Sequence, residues 1–292
     1  MTIARPLPIK ARSLIQIALV TATGLVLGGC EMSLGGMGGG LSASTPRIAE
    51  VEAPDASFNP NIASLSDVVK RNPNVPEPYN TRGAAYARAG RYQDAIADFS
   101  QAIRLDPNHA SAYTNRALAE RQIGKNDLAQ ADFGRAIAAN PRHAPAYLGR
   151  ANLLRAQGSL QEAMADLDQA IRLNPDEAQA FHARGLIHQR NGDHARAITD
   201  FDNAIDRNPF AAAPYQARAQ SLTVTGKYEL AIEDFNAALN VENRNAEAWA
   251  GLGLVYEKQG NKTKASESYG RALVVDPGNK LAREGQGRVG RA

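Results

Sequence analysis

The sequence repeats itself every 34 residues. The stretch 76–109, PEPYNTRGAAYARAGRYQDAIADFSQAIRLDPNH, returns five more times, starting at Ala110, Ala144, Ala178, Ala212 and Ala246. Within this unit the fifteenth place is always Gly (Gly90, Gly124, Gly158, Gly192, Gly226, Gly260). The twentieth is always Ala, from Ala95 to Ala265, and so is the twenty-seventh, from Ala102 to Ala272. The thirty-second is Pro107, Pro141, Pro175, Pro209 and Pro277, interrupted only by Asn243. A period of this length predicts stacked copies of one supersecondary unit, each unable to bury its apolar face alone.

Each recurrent place has a physical reason. Gly at place 15 follows a run of helix formers and supplies a left-handed turn without a Cβ penalty. Pro at place 32 cannot continue a helix and closes the second one. Apolar places 20, 24, 27 and 28, as in Ala95, Phe99, Ala102 and Ile103, follow helical spacing. Small residues at places 8 and 20 let two antiparallel helices approach. Large ones at place 4 (Tyr79, Tyr113, Tyr147, Phe181, Tyr215, Trp249) and place 24 (Phe99, Phe133, Leu167, Phe201, Phe235, Tyr269) fill the space around them.

This combination of aromatic, small, Gly, Ala, aromatic, Ala and Pro places resembles the tetratricopeptide repeat family, over six copies in register from residue 76 to 279. The expected fold is an all-α solenoid of six helix–turn–helix hairpins (76–109, 110–143, 144–177, 178–211, 212–245, 246–279) with short capping helices. Residues 62–75 look like the second helix of a degraded repeat, with Pro73 in phase and Val68 at place 27, and serve as the N-terminal cap. Residues 280–292 begin a seventh first helix, but Gly285, Gly287 and Gly290 predict a short cap and a loose basic tail.

Ahead of the array, Arg5, Lys10 and Arg12 precede a largely apolar run, 13–27, too short to span a bilayer comfortably and suited to a signal-peptide core. It ends in Leu27-Gly28-Gly29-Cys30, which resembles the lipobox of bacterial lipoproteins. The resemblance implies cleavage of residues 1–29 and acylation of Cys30, the single cysteine of the chain, with two or three fatty acyl chains such as palmitate giving stable membrane attachment. It also implies an envelope protein facing the periplasm, and Glu31 rather than Asp after the cysteine points to the outer membrane over the inner. Residues 31–61, rich in Gly, Ser, Ala and Pro, read as a flexible tether that follows the lipidated Cys30. The whole chain has a formal charge of +3, and residues 1–29 carry three positive charges and no negative ones, so the mature chain is neutral. Net charge therefore gives no support to nucleic-acid binding. With no second cysteine there is no disulfide framework.

Catalytic chemistry has no candidate in the sequence. There is no G-x-S-x-G, P-loop or HExxH motif. His182, His188 and His194 are spaced by six, which disperses them around a helix, so no metal ligand set and no cofactor is expected. One charge pattern is structural. Place 7 is Arg (Arg82, Arg116, Arg150, Arg184, Arg218) and place 23 is Asp (Asp98, Asp132, Asp166, Asp200, Asp234) in five repeats, and both change together to Leu252 and Ser268 in the sixth. These predict one Arg–Asp pair per hairpin.

Binding is what remains. In the resembled family the first helices line a concave groove, and places 2, 5, 9, 12 and 13 face a ligand. Those places vary here. They yield the candidate partner-binding residues Arg88, Leu118, Arg121, Leu148, Asn152, Arg155, Leu186 and Arg190, with Glu257 and Lys258 in the last repeat. The mixture suits a peptide segment carrying acidic and apolar residues. The carboxylate-clamp pattern of chaperone-binding relatives is absent, since only Asn115 matches it. The reading is a membrane-anchored periplasmic scaffold that binds peptide segments of other envelope proteins and assists a pilus or secretin, outer-membrane assembly or peptidoglycan-remodelling machine. The alternatives are a soluble co-chaperone-type adaptor or an enzyme.

Overall fold

The computed structural model describes residues 62–290, in which fourteen helices and no strand follow one another. The signal peptide read at 1–29, Cys30, the tether to residue 61 and the last two residues lie outside the described residues. Helix α1 (Ile62–Arg71) precedes six hairpins. These are α2 (Pro76–Arg88) with α3 (Tyr92–Leu105), α4 (Ala110–Gln122) with α5 (Asn126–Ala139), and α6 (Ala144–Gln157) with α7 (Leu160–Leu173). Then follow α8 (Ala178–Arg190) with α9 (His194–Arg207), α10 (Ala212–Val224) with α11 (Tyr228–Val241), and α12 (Ala246–Lys258) with α13 (Lys262–Val275). Helix α14 (Lys280–Val289) ends the array. This is the all-α solenoid that the period predicts.

The turn inside each hairpin rests on the glycine at place 15. All six have φ between +73° and +87°, a conformation costly for any residue with a Cβ. The alanines at places 20 and 27 are buried from Ala95 to Ala272.

The aromatic at place 24 organises the core, and it touches two first helices at once. One side meets place 8 of its own hairpin, the other place 6 of the next. A Cβ added to Gly83 would lie 2.7 Å from the Phe99 ring, and one on Gly185 2.6 Å from Phe201. The equivalent clash from the following hairpin involves Gly149 with Phe133 and Gly251 with Phe235. Each Phe therefore has one glycine beside it. The smaller Leu167 lies between Ala151 and Ala183, with no glycine, and the larger Tyr269 has two, Gly253 and Gly285. Side-chain volume at place 24 is matched by Cβ removal at its neighbours, as close packing requires.

That match also seats the expected C-terminal cap and carries it further along the chain. Gly285 is buried, and α14 runs as a regular helix to Val289 because the missing Cβ lets it seat on Tyr269. At the other end the buried valine of α1 is Val69, while Val68 at place 27 is only half-buried.

The Arg–Asp ladder is present in all five predicted hairpins. Arg82–Asp98, Arg150–Asp166 and Arg218–Asp234 approach to 2.7 Å, Arg116–Asp132 to 2.6 Å, and Arg184–Asp200 to 2.7 Å. Each is bidentate, with Nε and Nη2 donating to the two carboxylate oxygens. Four of the arginines also donate Nη1 to place 25 of the preceding unit: Ser66, Ser100, Asp168 and Asp202. Arg150 lacks this link, because Gly134 occupies that place. The ladder thus pins helices within a hairpin and stitches neighbouring hairpins together.

Place 4 adds a second stitch. Tyr79, Tyr147 and Trp249 donate to the backbone carbonyls of Pro73, Pro141 and Asn243, at place 32 of the unit before. Phe181 has no donor. Arg207 lies over its ring at 4.2 Å and donates to the equivalent carbonyl of Pro175 instead.

First helices touch across consecutive units, from α2 against α4 through to α12 against α14, whereas consecutive second helices do not touch. The first helices therefore line the inner face of the array.

Candidate functional site

The inner face varies in sequence where the core repeats, and its character changes along the array. At the centre, Leu118 and Arg121 of α4 face Leu148 and Asn152 of α6 across a cleft of about 120 Å³, which Pro145, Gly149 and Asn174 help to line. Four of the eight sequence-predicted residues thus share one cleft. Leu118 and Leu148 are half-buried, with their inner sides on the Phe133 and Leu167 clusters. Asn152 is 4% exposed.

Arg155 follows directly. It is one repeat further than Arg121 at the same place, near enough that their charges repel, and Arg190 bears on Arg155 in the same way. Burial, and then this repulsion, lower the pKa of both Arg121 and Arg155 from the ordinary guanidinium value. Neither makes an ion pair among the described residues. Arg121 Nη1, Arg155 Nε and the Asn152 side-chain oxygen are enclosed without a hydrogen-bond partner there.

The remaining predicted residues lie apart from this cleft. Arg190 is exposed at the end of α8, and Leu186 packs partly on the Phe201 cluster. Arg88, exposed at the end of α2, donates Nε to the carbonyl of Ala84. Asn80 and Asn115 are tied to each other, Asn115 donating at 3.0 Å, so the one residue that fitted the clamp pattern is engaged structurally.

Two histidines with lowered pKa values were not among the sequence-predicted binding residues. His182, at place 5, packs against Phe201 with ring centroids 5.8 Å apart and the planes tilted by 50°, and burial with Arg155 nearby holds its pKa down to about 4. It is neutral near neutral pH. His143 precedes α6, with Nε2 enclosed and unpartnered among the described residues, and its pKa is lowered by burial and by His109. His109 at the same place caps α4 through Ala112 and reaches Glu77 at 3.0 Å. Membership of place 5 was the available signal for His182. For His143 there was none.

The far end of the face corrects one expectation. Glu257, at the same place as Arg121 and Arg155, is not open to a ligand. Arg288 of α14 binds it through two hydrogen bonds, 2.6 and 2.9 Å, and the Tyr269 hydroxyl donates at 2.6 Å. Arg288 first, and Tyr269 after, hold the Glu257 carboxyl below the ordinary value.

Among the described residues no group of three His, Cys, Asp or Glu side chains could hold a metal ion, and no helix is long and apolar enough to cross a membrane. The arrangement offers cationic and apolar contacts to an extended ligand.

Comparison with known proteins agrees with this architecture. Family models described as tetratricopeptide repeat match residues 76–109, 110–143, 178–210 and 246–279, and one described as TPR repeat matches 151–192 and 219–260. A search of curated protein sequences finds no match. Among solved structures, PilF of Pseudomonas aeruginosa superposes with a TM-score of 0.68 at 20% identity, over 75% of this chain and 99% of that one. The type IV pilus biogenesis factor PilW gives 0.64 at 19%, over 72% and 97%. The anaphase-promoting-complex assembly Cut9–Hcn1 gives 0.70 at 20% over 80% of this chain, which spans only 46% of that one. At these identities the likeness is one of fold.

Proposed function

The chain belongs to the tetratricopeptide repeat family, and we propose that it is a lipid-anchored scaffold of the bacterial envelope that holds peptide segments of other proteins on its first-helix face. One observation carries the binding role: side chains of that face vary from repeat to repeat while the core recurs, and its central arginines lack any counterion among the described residues. Variable contacts on a rigid, repeated frame are how solenoids present a surface to a partner. Acylated Cys30 supplies the anchor, with the outer membrane as its site, and residues 31–61 hold the array away from the bilayer. The fold shared with PilF and PilW supports service to an envelope machine of the pilus or secretin kind, outer-membrane assembly and peptidoglycan remodelling being the neighbouring choices.

Cys30→Ser tests the anchor. The variant is expected to leave the membrane fraction or to accumulate as precursor. Fractionation and gel mobility identical to the native protein's would refute lipidation. Cross-linking from Leu148 in intact cells, followed by identification of the joined chains, tests the face. Joined chains from outside the envelope would refute the location.

A further inference from the structure

The unpaired charge at the centre of the inner face is specific enough to define what sits there. Arg121 and Arg155 occupy the same place in adjacent repeats, close enough to repel, and each has an enclosed nitrogen without an acceptor among the described residues. Two half-buried guanidinium groups with no counterion are costly, and a carboxylate between them would relieve both desolvation and repulsion. The carboxylate already lining the cleft, Glu177, accepts from the backbone N–H of Gln179 at the start of α8 and pairs with neither arginine. His182 is neutral near neutral pH, so the charge of the seat is that of the arginines. Asn152 points to the rest of the ligand. Its enclosed oxygen needs a donor, which a carboxylate lacks and a peptide N–H provides. Beside it, Leu118 and Leu148 offer apolar surface in a cleft large enough for one side chain.

We propose that Arg121 and Arg155 form a seat for one side-chain carboxylate of an extended partner peptide, with Asn152 accepting from its backbone and a neighbouring apolar residue entering the cleft between Leu118 and Leu148. The assignment rests on the peptide-binding reading of the inner face and adds the chemistry of the peptide. The same chain shows the pairing in reverse: at the corresponding place in the sixth repeat, Glu257 is satisfied by a guanidinium, that of Arg288, from the next helix.

The test uses the full chain in detergent micelles and immobilised synthetic peptides of neutral extended sequence containing a Leu. One set carries Glu close to the Leu, a second Gln, a third Lys. Native protein is expected to retain the Glu set over the Gln set by roughly tenfold or more, with added salt narrowing the preference. Arg121→Glu with Arg155→Glu should abolish the preference and transfer it to the Lys set. Leu148→Asp should weaken retention of all sets that bind. Equal retention of Glu and Gln peptides, still lost in Leu148→Asp, overturns the carboxylate seat and leaves the inner-face reading standing. Retention that none of these substitutions alters overturns both, and so does native protein that retains no set. Salt-sensitive self-association, lost in the double-charge variant, assigns the seat to a second copy and overturns the partner.

Discussion

In the third hairpin Arg150 and Asp166 face each other across α6 and α7, whereas in the sixth the same two places hold Leu252 and Ser268. Both hairpins have the same turn and the same buried alanines. What differs is how two helices are kept in register. Five hairpins use a bidentate ion pair, with the aspartate nearly buried. The sixth buries Leu252 to 3% exposure, turns Ser268 back onto the carbonyl of Lys264, and fixes its neighbour α14 through Tyr269, Glu257 and Arg288. A helix pair can thus be closed by paired charge or by apolar packing, provided both partners change together. A half-changed pair strands one charge.

The largest effect is expected from mixing the two solutions. Arg150→Leu alone leaves Asp166, whose side chain is 9% exposed, without its partner and should cost about 3 kcal/mol in urea denaturation. Arg150→Leu with Asp166→Ser copies the sixth hairpin and should recover most of that loss. Single-variant costs that simply add in the double variant would mean the pair is not a unit.

Next in size is the seat of Tyr269. Gly285→Ala places a Cβ into its ring and should cost about 2 kcal/mol by overpacking. The third hairpin offers the converse. Leu167→Phe should destabilise by a similar amount, and adding Ala183→Gly should relieve it, since every Phe at that place has one glycine neighbour. Stability unchanged by Gly285→Ala would show that α14 can lift off without loss and that volume matching is not what positions it.

A smaller effect separates the ends by pH. The Glu257 carboxyl is held below its ordinary value of 4.5, chiefly by Arg288, so its contribution is complete above that value and fades as pH falls below it. Glu257→Gln should therefore lower stability by less than about 1 kcal/mol at neutral pH, the scale of a partly exposed pair. Towards pH 3 the two proteins should converge. A gap that stays constant down to that pH would assign the loss to packing instead of charge.

The ladder was legible because both members vanish together in the sixth repeat, a covariation inside one chain. The links from Arg82, Arg116, Arg184 and Arg218 to place 25 were not, since that place reads Ser66, Ser100, Gly134, Asp168 and Asp202 and shows no single residue type. Gly149, Gly251 and Gly285 gave no signal for a similar reason. They make sense only beside the ring each one meets, a contact between units that the repeat pattern of one unit does not contain. On the inner face, it was the family resemblance that assigned Leu118, Arg121, Leu148 and Asn152 to ligand-facing places. That Arg121 and Arg155 are enclosed and unpaired depends on which acidic residues fail to reach them, and this is a matter of three-dimensional distance. Arg288 read as part of a loose tail because the three glycines suggested only a short cap, and its partner lies 31 residues away.

The smallest expected effect repairs the weak point of the ladder itself. Arg150 lacks the third contact that Arg184 and Arg218 make with Asp168 and Asp202, because Gly134 stands at that place, and an added Cβ there would meet nothing within 4 Å. Gly134→Ala should stabilise α5 by up to about 1 kcal/mol through helix propensity alone. Aspartate is a poorer helix former than alanine by roughly half a kcal/mol or more, so on propensity Gly134→Asp should fall short of the alanine variant. If the carboxylate reaches the Arg150 Nη1, the shortfall should disappear, since a half-exposed pair of this kind is worth a few tenths of a kcal/mol up to about 1. The comparison is then repeated with Arg150→Leu and Asp166→Ser in place. There the aspartate has no guanidinium to meet, and alanine should be the better residue again. An alanine advantage of the same size in both backgrounds would show that the contact does not form, and that the stitch between the second and third hairpins is left to packing.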